Sequence, residues 1–404
     1  MLLKIAFRNV FRQRRRTILT ALTICGGFTL AALSIGLSDG TYAEVIDLFT
    51  RNRLGHIQIH AAGYLDKPSL YKNIPDFTAV GSRIQNLAEV EAWAPRLYSA
   101  GLVSVRDKSA GVQIIGIDPE REMRATRFDK KIFRGNIFLQ NALPEAIMGK
   151  GLAKVLHAEV GDEVVIVSQA ADGSIADALY HLAGIVDSGD DLSDRMAFYL
   201  PLAEAQSLLV LPDRAHEIIV IVNDLGHVKQ ATQQIRMALG DSSLAVAPWQ
   251  EFARSFYEAM ELDQQGNWIS IFIILLIVAI GVLNTVLMSV LERTREYGVL
   301  KAVGTQPAQI FKLVIFEVNF ITLASVLAGA ALSLLLNLVL SQHGIALPQA
   351  FTFAGVEFKE IYSEVNLRSL LIPGLTVILA ANVVSLFPSF KAAHTEPARA
   401  MRMH

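Results

Sequence analysis

Four apolar stretches constrain this chain before anything else does: Thr17–Ser38, Trp268–Leu291, Ile310–Leu340 and Leu370–Phe387. Each is close to or above the roughly 20 residues that a helix needs to cross a hydrocarbon core about 30 Å thick. Hydrocarbon offers no partner for backbone N–H and C=O groups, so such segments must be helical. The chain has 404 residues, 52% of them hydrophobic and only 18% charged, where soluble domains carry about 25% charged residues. Between Asp39 and Gln265 the composition is that of an ordinary globular domain, rich in short β-branched runs.

The expected organisation is a basic amphipathic helix at 1–16, spans at 17–38, 267–291, 309–341 and 369–388, and a large α+β domain at 39–266. Connections fall at 292–308 and 342–368, and a tail at 389–404. A basic start before an apolar run also describes a cleaved secretory signal, with Ala32-Leu33-Ser34 as a small-residue site. Signal cores run about 7 to 15 residues, whereas this run continues from Ile18 to Leu37, so it is read as an anchor.

Cations near span ends set orientation. Lys4, Arg8, Arg12, Arg14, Arg15 and Arg16 precede the first span, Arg293, Arg295 and Lys301 follow the second, and Lys391, Arg399 and Arg402 follow the fourth. Glu357, Glu360 and Glu364 dominate the loop between the third and fourth. Both termini and the second-to-third connection are thus expected in the cytoplasm, and the large domain outside. Helical spacing places Leu2, Ile5, Ala6, Val10 and Phe11 on one stripe of the first helix. Arg8, Arg12 and Arg15 then face anionic headgroups along the membrane surface.

In the outer domain, Ile57–His60, Val112–Ile117, Val164–Val167 and Ile218–Val222 read as strands. Val80–Leu87, Gly151–Leu156, Leu202–Leu209 and Val228–Leu239 read as helices. Strands and helices do not alternate strictly, which suggests a mixed domain in two lobes. Asp172-Gly173 marks a tight hairpin.

Site chemistry is sparse. His56 and His60 alternate along a strand but lack a third ligand, and Asp187, Asp190, Asp191 and Asp194 miss the calcium-loop spacing, so no metal is expected. Neither G-x-S-x-G nor H-E-x-x-H occurs, and Gly149-Lys150 continues into Gly151 without a phosphate-binding loop, so no catalytic residues are assigned. A net charge of −2 argues against general nucleic-acid binding. The single cysteine, Cys25, excludes an intrachain disulfide.

The most informative segment runs from Asn284 to Gly304. Glu292, Arg293, Arg295, Glu296 and Lys301 form a charged extension of the second span, with Gly298 and Gly304 placed to permit turns. The spacing of Glu292 with Glu296 and of Arg293 with Lys301 suggests one stripe for each sign.

Glu292–Gly304, as E-R-x-R-E-x-G-x-L-K-A-x-G, resembles the coupling-helix region of the FtsX/MacB/LolCE-like permeases, the type VII ABC transporter membrane subunits. Phe387–Ala393 followed by Pro397-Ala398 is similar to the family's C-terminal ending, and Gly151-Leu152-Ala153 with Gly161-Asp162 to a stretch of its periplasmic domain. The resemblance spans essentially the whole chain and implies a bacterial inner-membrane protein with four transmembrane helices and a MacB-like α+β periplasmic core. It further implies a permease dimer, homo- or hetero-, docked on two copies of a separate cytoplasmic ABC ATPase. ATP and Mg are then bound by that ATPase, and this chain binds no cofactor of its own.

Glu292, Arg293, Arg295, Glu296, Tyr297, Gly298, Lys301 and Gly304 become the expected ATPase contact. The unfused layout and the Gly55–Ile59 strand look most like the lipoprotein-releasing branch. Phe28, Leu33 and Leu37 of the first span and Trp268, Ile271 and Phe272 of the second are the expected path for a lipoprotein or other amphipathic substrate. Membrane lipids and a periplasmic chaperone or adaptor are the further partners implied. Only Ser168–Asp177 follows the Val164–Val167 strand, which leaves little room for a chaperone-recruiting hook. The alternative function is a mechanotransmitting regulator that moves no substrate and acts on a periplasmic partner.

Overall fold

The computed structural model describes residues 2–12, 14–138, 144–353 and 356–396. Pro397, Ala398, Arg399 and Arg402 of the expected tail signature lie outside the described residues. The chain divides into two compact units, one of Met1–Tyr42, Met260–Pro348 and Glu360–His404, the other of Ala43–Ala259 and Gln349–Lys359.

Four helices are long and apolar enough to cross a membrane: Arg14–Phe49, Arg254–Glu292, Pro307–His343 and Leu367–Ala393. All four run past their apolar stretches. Their shared core contains Ile24, Phe28, Val278, Val282, Val314, Val326, Val377 and Ala381. Lipid tails are as apolar as leucine, so helices in a bilayer associate through close packing and hydrogen bonds. Small residues provide the first: a Cβ on Gly27 would fall 2.0 Å from Val278 Cγ2, and one on Gly329 would fall 2.9 Å from Phe28 Cδ1. Polar pairs provide the second. Asn319 Nδ2 donates to Asn382 Oδ1 at 2.9 Å, Asn382 Nδ2 returns a bond to Asn319 Oδ1 at 3.1 Å, and Ser363 Oγ donates to Asn337 Oδ1 at 2.8 Å. Pro373 and Pro388 lie inside the last helix. Where a loop was expected at 342–368, strands Ile345–Phe353 and Val356–Ile361 pair with each other.

The second unit is built on one sheet, ten-stranded among the described residues. From edge to edge it runs Leu244–Pro248, Ile57–Ala61, Glu217–Val222, Val90–Val105, Lys108–Ile117, Ala197–Pro201, Glu145–Gly149, Ile175–Val186 and Ile132–Gly135. Glu163–Gln169 pairs with both Val90–Val105 and Ile175–Val186. The ladder is continuous, so the two expected lobes share a single sheet. Two of its pairings among the described residues are parallel, Lys108–Ile117 with Ala197–Pro201 and Glu145–Gly149 with Ile175–Val186, so the sheet is mixed.

Val90–Val105, sixteen residues long, holds the sheet together. Pro95 argues against a central strand because it lacks an N–H. Here it pairs with Ile218 on one side, while pairing with Lys108–Ile117 begins only at Arg96. The Asp172-Gly173 turn falls between Glu163–Gln169 and Ile175–Val186, with Gly173 at φ +88°.

Trp93 on the long strand is buried, with the Arg121 guanidinium 3.8 Å above its ring. Helix Phe77–Ile84 lies so close to it that a Cβ on Gly81 would fall 2.0 Å from Trp93 Cη2. Gly81→Ala should therefore destabilise this unit by about 1–3 kcal/mol. The expected result is a lower melting temperature of the full chain in detergent. An unchanged one would show that the helix can slide away without cost.

Candidate functional site: a hairpin locked onto the helix bundle

Helix Arg254–Glu292 ends where Arg293 leaves helical geometry at φ −97°, ψ 10°. A short helix, Thr294–Ala302, follows, and Gly304 turns the chain at φ +101°. Gln306 and Gln309 form a reciprocal capping box with Pro307 at the first helical position, which starts helix Pro307–His343. One expectation needs correcting: Gly298 makes no turn, because it is buried within the short helix. The neighbouring Tyr297 is packed among Val286, Val290, Ile310 and Ala392. Only Gly304 has the left-handed backbone that favours glycine.

The charges form no separate stripes. Arg293 is buried, donating from Nε to Glu296 at 3.0 Å and from its terminal nitrogen to Glu317 Oε2 at 2.8 Å. Glu317 also accepts from Asn9 Nδ2 at 2.7 Å. Glu292 receives two bonds from Arg16, one at 2.6 Å, and Glu296 pairs with Arg12 at 3.0 Å. Lys301 Nζ donates to the backbone carbonyls of Ala393 and Thr395, both at 2.9 Å, near the end of helix Leu367–Ala393. These acids and bases are paired within the chain, Arg293 in a buried network and Glu292 and Arg12 at the exposed rim. The hairpin is thereby tied to the first helix, to Arg16 and to the third and fourth spans.

What remains on its surface is different. Arg295 and Gly304 are exposed, along with Val299, Leu300 and Val303, the last 83% exposed. The outward face is more apolar than charged. On helix Leu2–Arg12 only Ala6 is buried; Ile5 and Phe11 are exposed, and Phe7 meets Phe320 edge-on at 5.7 Å. Arg8, Arg12 and Arg15 are exposed, and Arg12 reaches the hairpin.

The six expected path residues also separate. Phe28 is 1% exposed, wedged against Gly329, and Ile271 is buried, so neither lines an opening. Trp268 and Phe272 are exposed, and Leu33 and Leu37 partly so. Leu37 instead borders a cleft of about 440 Å³ with Tyr42, Asp263, Asn267 and Ser270. Tyr42 Oη donates to Asp263 at 2.6 Å, and Ser34 Oγ to Asn267 at 3.0 Å. Sequence reasoning missed these groups, although Ser34, Ser38 and Tyr42 on one helix and Asp263, Asn267 and Ser270 on the other repeat at helical spacing.

His56 and His60 are buried, His56 accepting from Val222 N at 3.1 Å and His60 Nδ1 lying 3.0 Å from His216 O. In the acidic run, Asp187 pairs with Lys150 at 2.6 Å, Asp190 caps Asp191–Asp194 and pairs with Arg53, and Asp194 accepts from Ser188.

Four helices long and apolar enough to cross a membrane, with a mixed α/β domain between the first and second and a short helical hairpin after the second, define a polytopic membrane protein. Residues 17–238, more than half of the chain, match the MacB-like periplasmic core domain, and residues 268–397 match the FtsX-like permease C-terminal domain. The chain belongs to the FtsX/MacB/LolC-like, type VII, family of ABC transporter permeases and is a multi-pass inner-membrane protein with a periplasmic domain.

It is 24% identical to the lipoprotein-releasing system transmembrane protein LolC of Neisseria meningitidis, over 96% of this chain and 94% of that one. It is 24% identical to the macrolide export ATP-binding/permease protein MacB of Campylobacter jejuni, over 98% of this chain and 60% of that one. The periplasmic region of MacB from Actinobacillus actinomycetemcomitans aligns over 49% of this chain with 14% identity and a TM-score of 0.36.

Glu317 is the anchor of the hairpin. Glu317→Ala would leave the enclosed Arg293 without its nearest counter-charge, which costs roughly 3–5 kcal/mol when a buried pair is broken from one side. Thermal unfolding in detergent should report that loss. Wild-type stability would mean that Glu296 alone suffices for Arg293.

Proposed function

We propose that this chain is the non-catalytic subunit that couples ATP hydrolysis on a separate cytoplasmic ATPase to motion of the periplasmic domain, extracting or moving lipoprotein or another amphipathic substrate from the inner membrane. The observation that carries the reading is the hairpin: a short helix fixed by internal ion pairs and hydrogen bonds, with Val299, Leu300 and Val303 presented outward. A lever must be stiff on the protein side and specific on the partner side; the internal ties support the first requirement and the exposed apolar residues offer a surface for the second. Similarity to LolC along nearly the whole of both chains favours a lipoprotein substrate. The proposed assembly has two permease subunits, alike or different, on two ATPase subunits that hold ATP and Mg.

Burial of a valine side chain contributes about 1.5–3 kcal/mol, so the apolar face can supply much of the docking energy. Arg295 is the exposed cation beside it. Glu296→Lys would be a poor test of docking, because it would set a cation against Arg12 and Arg293 and loosen the hairpin itself. Val303→Asp should instead leave the permease folded and weaken its association with the copurifying ATPase at least about tenfold, the equivalent of 1.4 kcal/mol. Pull-down from native membranes and ATP turnover in the purified complex measure this. A Val303→Asp complex that assembles and turns over normally would remove the docking role.

The same reading sets orientation. A reporter active only in the periplasm should be active when fused after Asp107 or Glu357, and silent after Lys301 or His404. Activity after Lys301 would refute it.

A further inference from the structure

The half of the helix bundle next to the hairpin holds a cavity of about 50 Å³, lined by residues of the first three spans and by Tyr297 of the hairpin. Part of its wall is apolar, as at Val282 and Val314, but Thr17, Thr20, Thr285 and Thr322 line it as well.

Thr322 sets its character. It is 1% exposed, and its Oγ1 has no hydrogen-bond partner among the described residues. A threonine inside a helix can bond the carbonyl four residues back, and two of its neighbours in the wall do so. Thr20 donates to Arg16 O at 3.0 Å and Thr285 to Gly281 O at 2.8 Å, while Thr17 donates to Val10 O at 2.8 Å. A hydroxyl has one hydrogen and two lone pairs. The other three threonines have therefore used their hydrogens and can still accept, whereas Thr322 can both donate and accept. Within a bundle embedded in hydrocarbon, a hydroxyl left in that condition is costly.

The charged residues of the wall are satisfied elsewhere. Arg16 donates to Glu292 at 2.6 Å, and Glu317 accepts from Arg293 at 2.8 Å and from Asn9 at 2.7 Å. Among the described residues, the wall has no uncommitted charge with which to hold an ion. The matching ligand is neutral and small, accepts from one hydroxyl and donates to others.

We propose that this cavity is a water-binding site inside the bundle. Each water needs about 10–15 Å³, so the site takes about three or four. They accept from Thr322 Oγ1 and donate to the oxygens of Thr20 and Thr285. Thr20 lies on the first span, Thr285 on the second and Thr322 on the third. The water thus connects three helices beside the hairpin, as the amides of Asn319 and Asn382 connect two helices directly.

The full-length protein in lipid nanodiscs is the material for the test. A density map that resolves ordered water should show one within about 2.5–3.0 Å of Thr322 Oγ1. Thermal unfolding of Thr322→Val supplies a test of sign, because the two side chains have nearly the same shape. If the cavity is dry, the variant loses only an unpartnered hydroxyl and melts higher. If water fills it, the variant loses a bonded group and should melt a few degrees lower. Thr322→Ser keeps the hydroxyl and should keep the water density, which leaves the proposal testable even if Thr322→Val does not fold. An unchanged or higher melting temperature of Thr322→Val would overturn the proposal, as would a map in which the cavity is dry or filled by an acyl or detergent chain.

Discussion

A bilayer interior that offers the backbone no hydrogen-bonding partner is the constraint on which this protein depends. It forces four segments into helices and removes ordinary hydrophobic attraction as the glue between them. What replaces it is visible in specific contacts: Gly27 against Val278, Gly329 against Phe28, and the reciprocal amides of Asn319 and Asn382. The Asn319–Asn382 and Ser363–Asn337 pairs each tie two segments of the bundle in register, whereas Thr322 Oγ1 is buried without a hydrogen-bond partner among the described residues. A bundle held in this way moves as packed bodies more readily than it deforms.

That rigidity gives the hairpin its meaning. In water, the charges of Glu292–Lys301 would be a solvated surface. Next to the bundle they become internal struts, with Arg293 buried between Glu296 and Glu317 and Lys301 donating to the carbonyls of Ala393 and Thr395. Exposed pairs such as Arg12 with Glu296 contribute little energy by themselves. Their value lies in joining the N-terminal helix to the same network. Force applied to the hairpin would then reach several helices together.

The periplasmic domain solves a different problem with ordinary tools. Its long strand Val90–Val105 carries a ladder on both sides, and Arg96 on that strand is buried with Glu122. A buried ion pair of this kind costs desolvation that apolar residues of similar size would avoid.

The sequence by itself determined the four spans, the α+β character of the intervening domain and the place of the hairpin, because bilayer length, strand alternation and glycine or proline punctuation are local quantities. Strands such as Ile57–Ala61 and Glu217–Val222 and the helix Val228–Leu239 were legible for the same reason. It also carried, unread, the polar repeat of Ser34, Ser38 and Tyr42 opposite Asp263, Asn267 and Ser270. Only the tertiary structure decided which of two equally plausible faces each residue presents. It turned Phe28 and Ile271 into packing, spent Glu292, Arg293, Glu296 and Lys301 on internal bonds, buried Gly298 inside a helix and left Val299 and Val303 outside. The physical reason is that burial and ion pairing depend on partners hundreds of residues away, Arg16 for Glu292 and Asn9 for Glu317, and no local spacing encodes them.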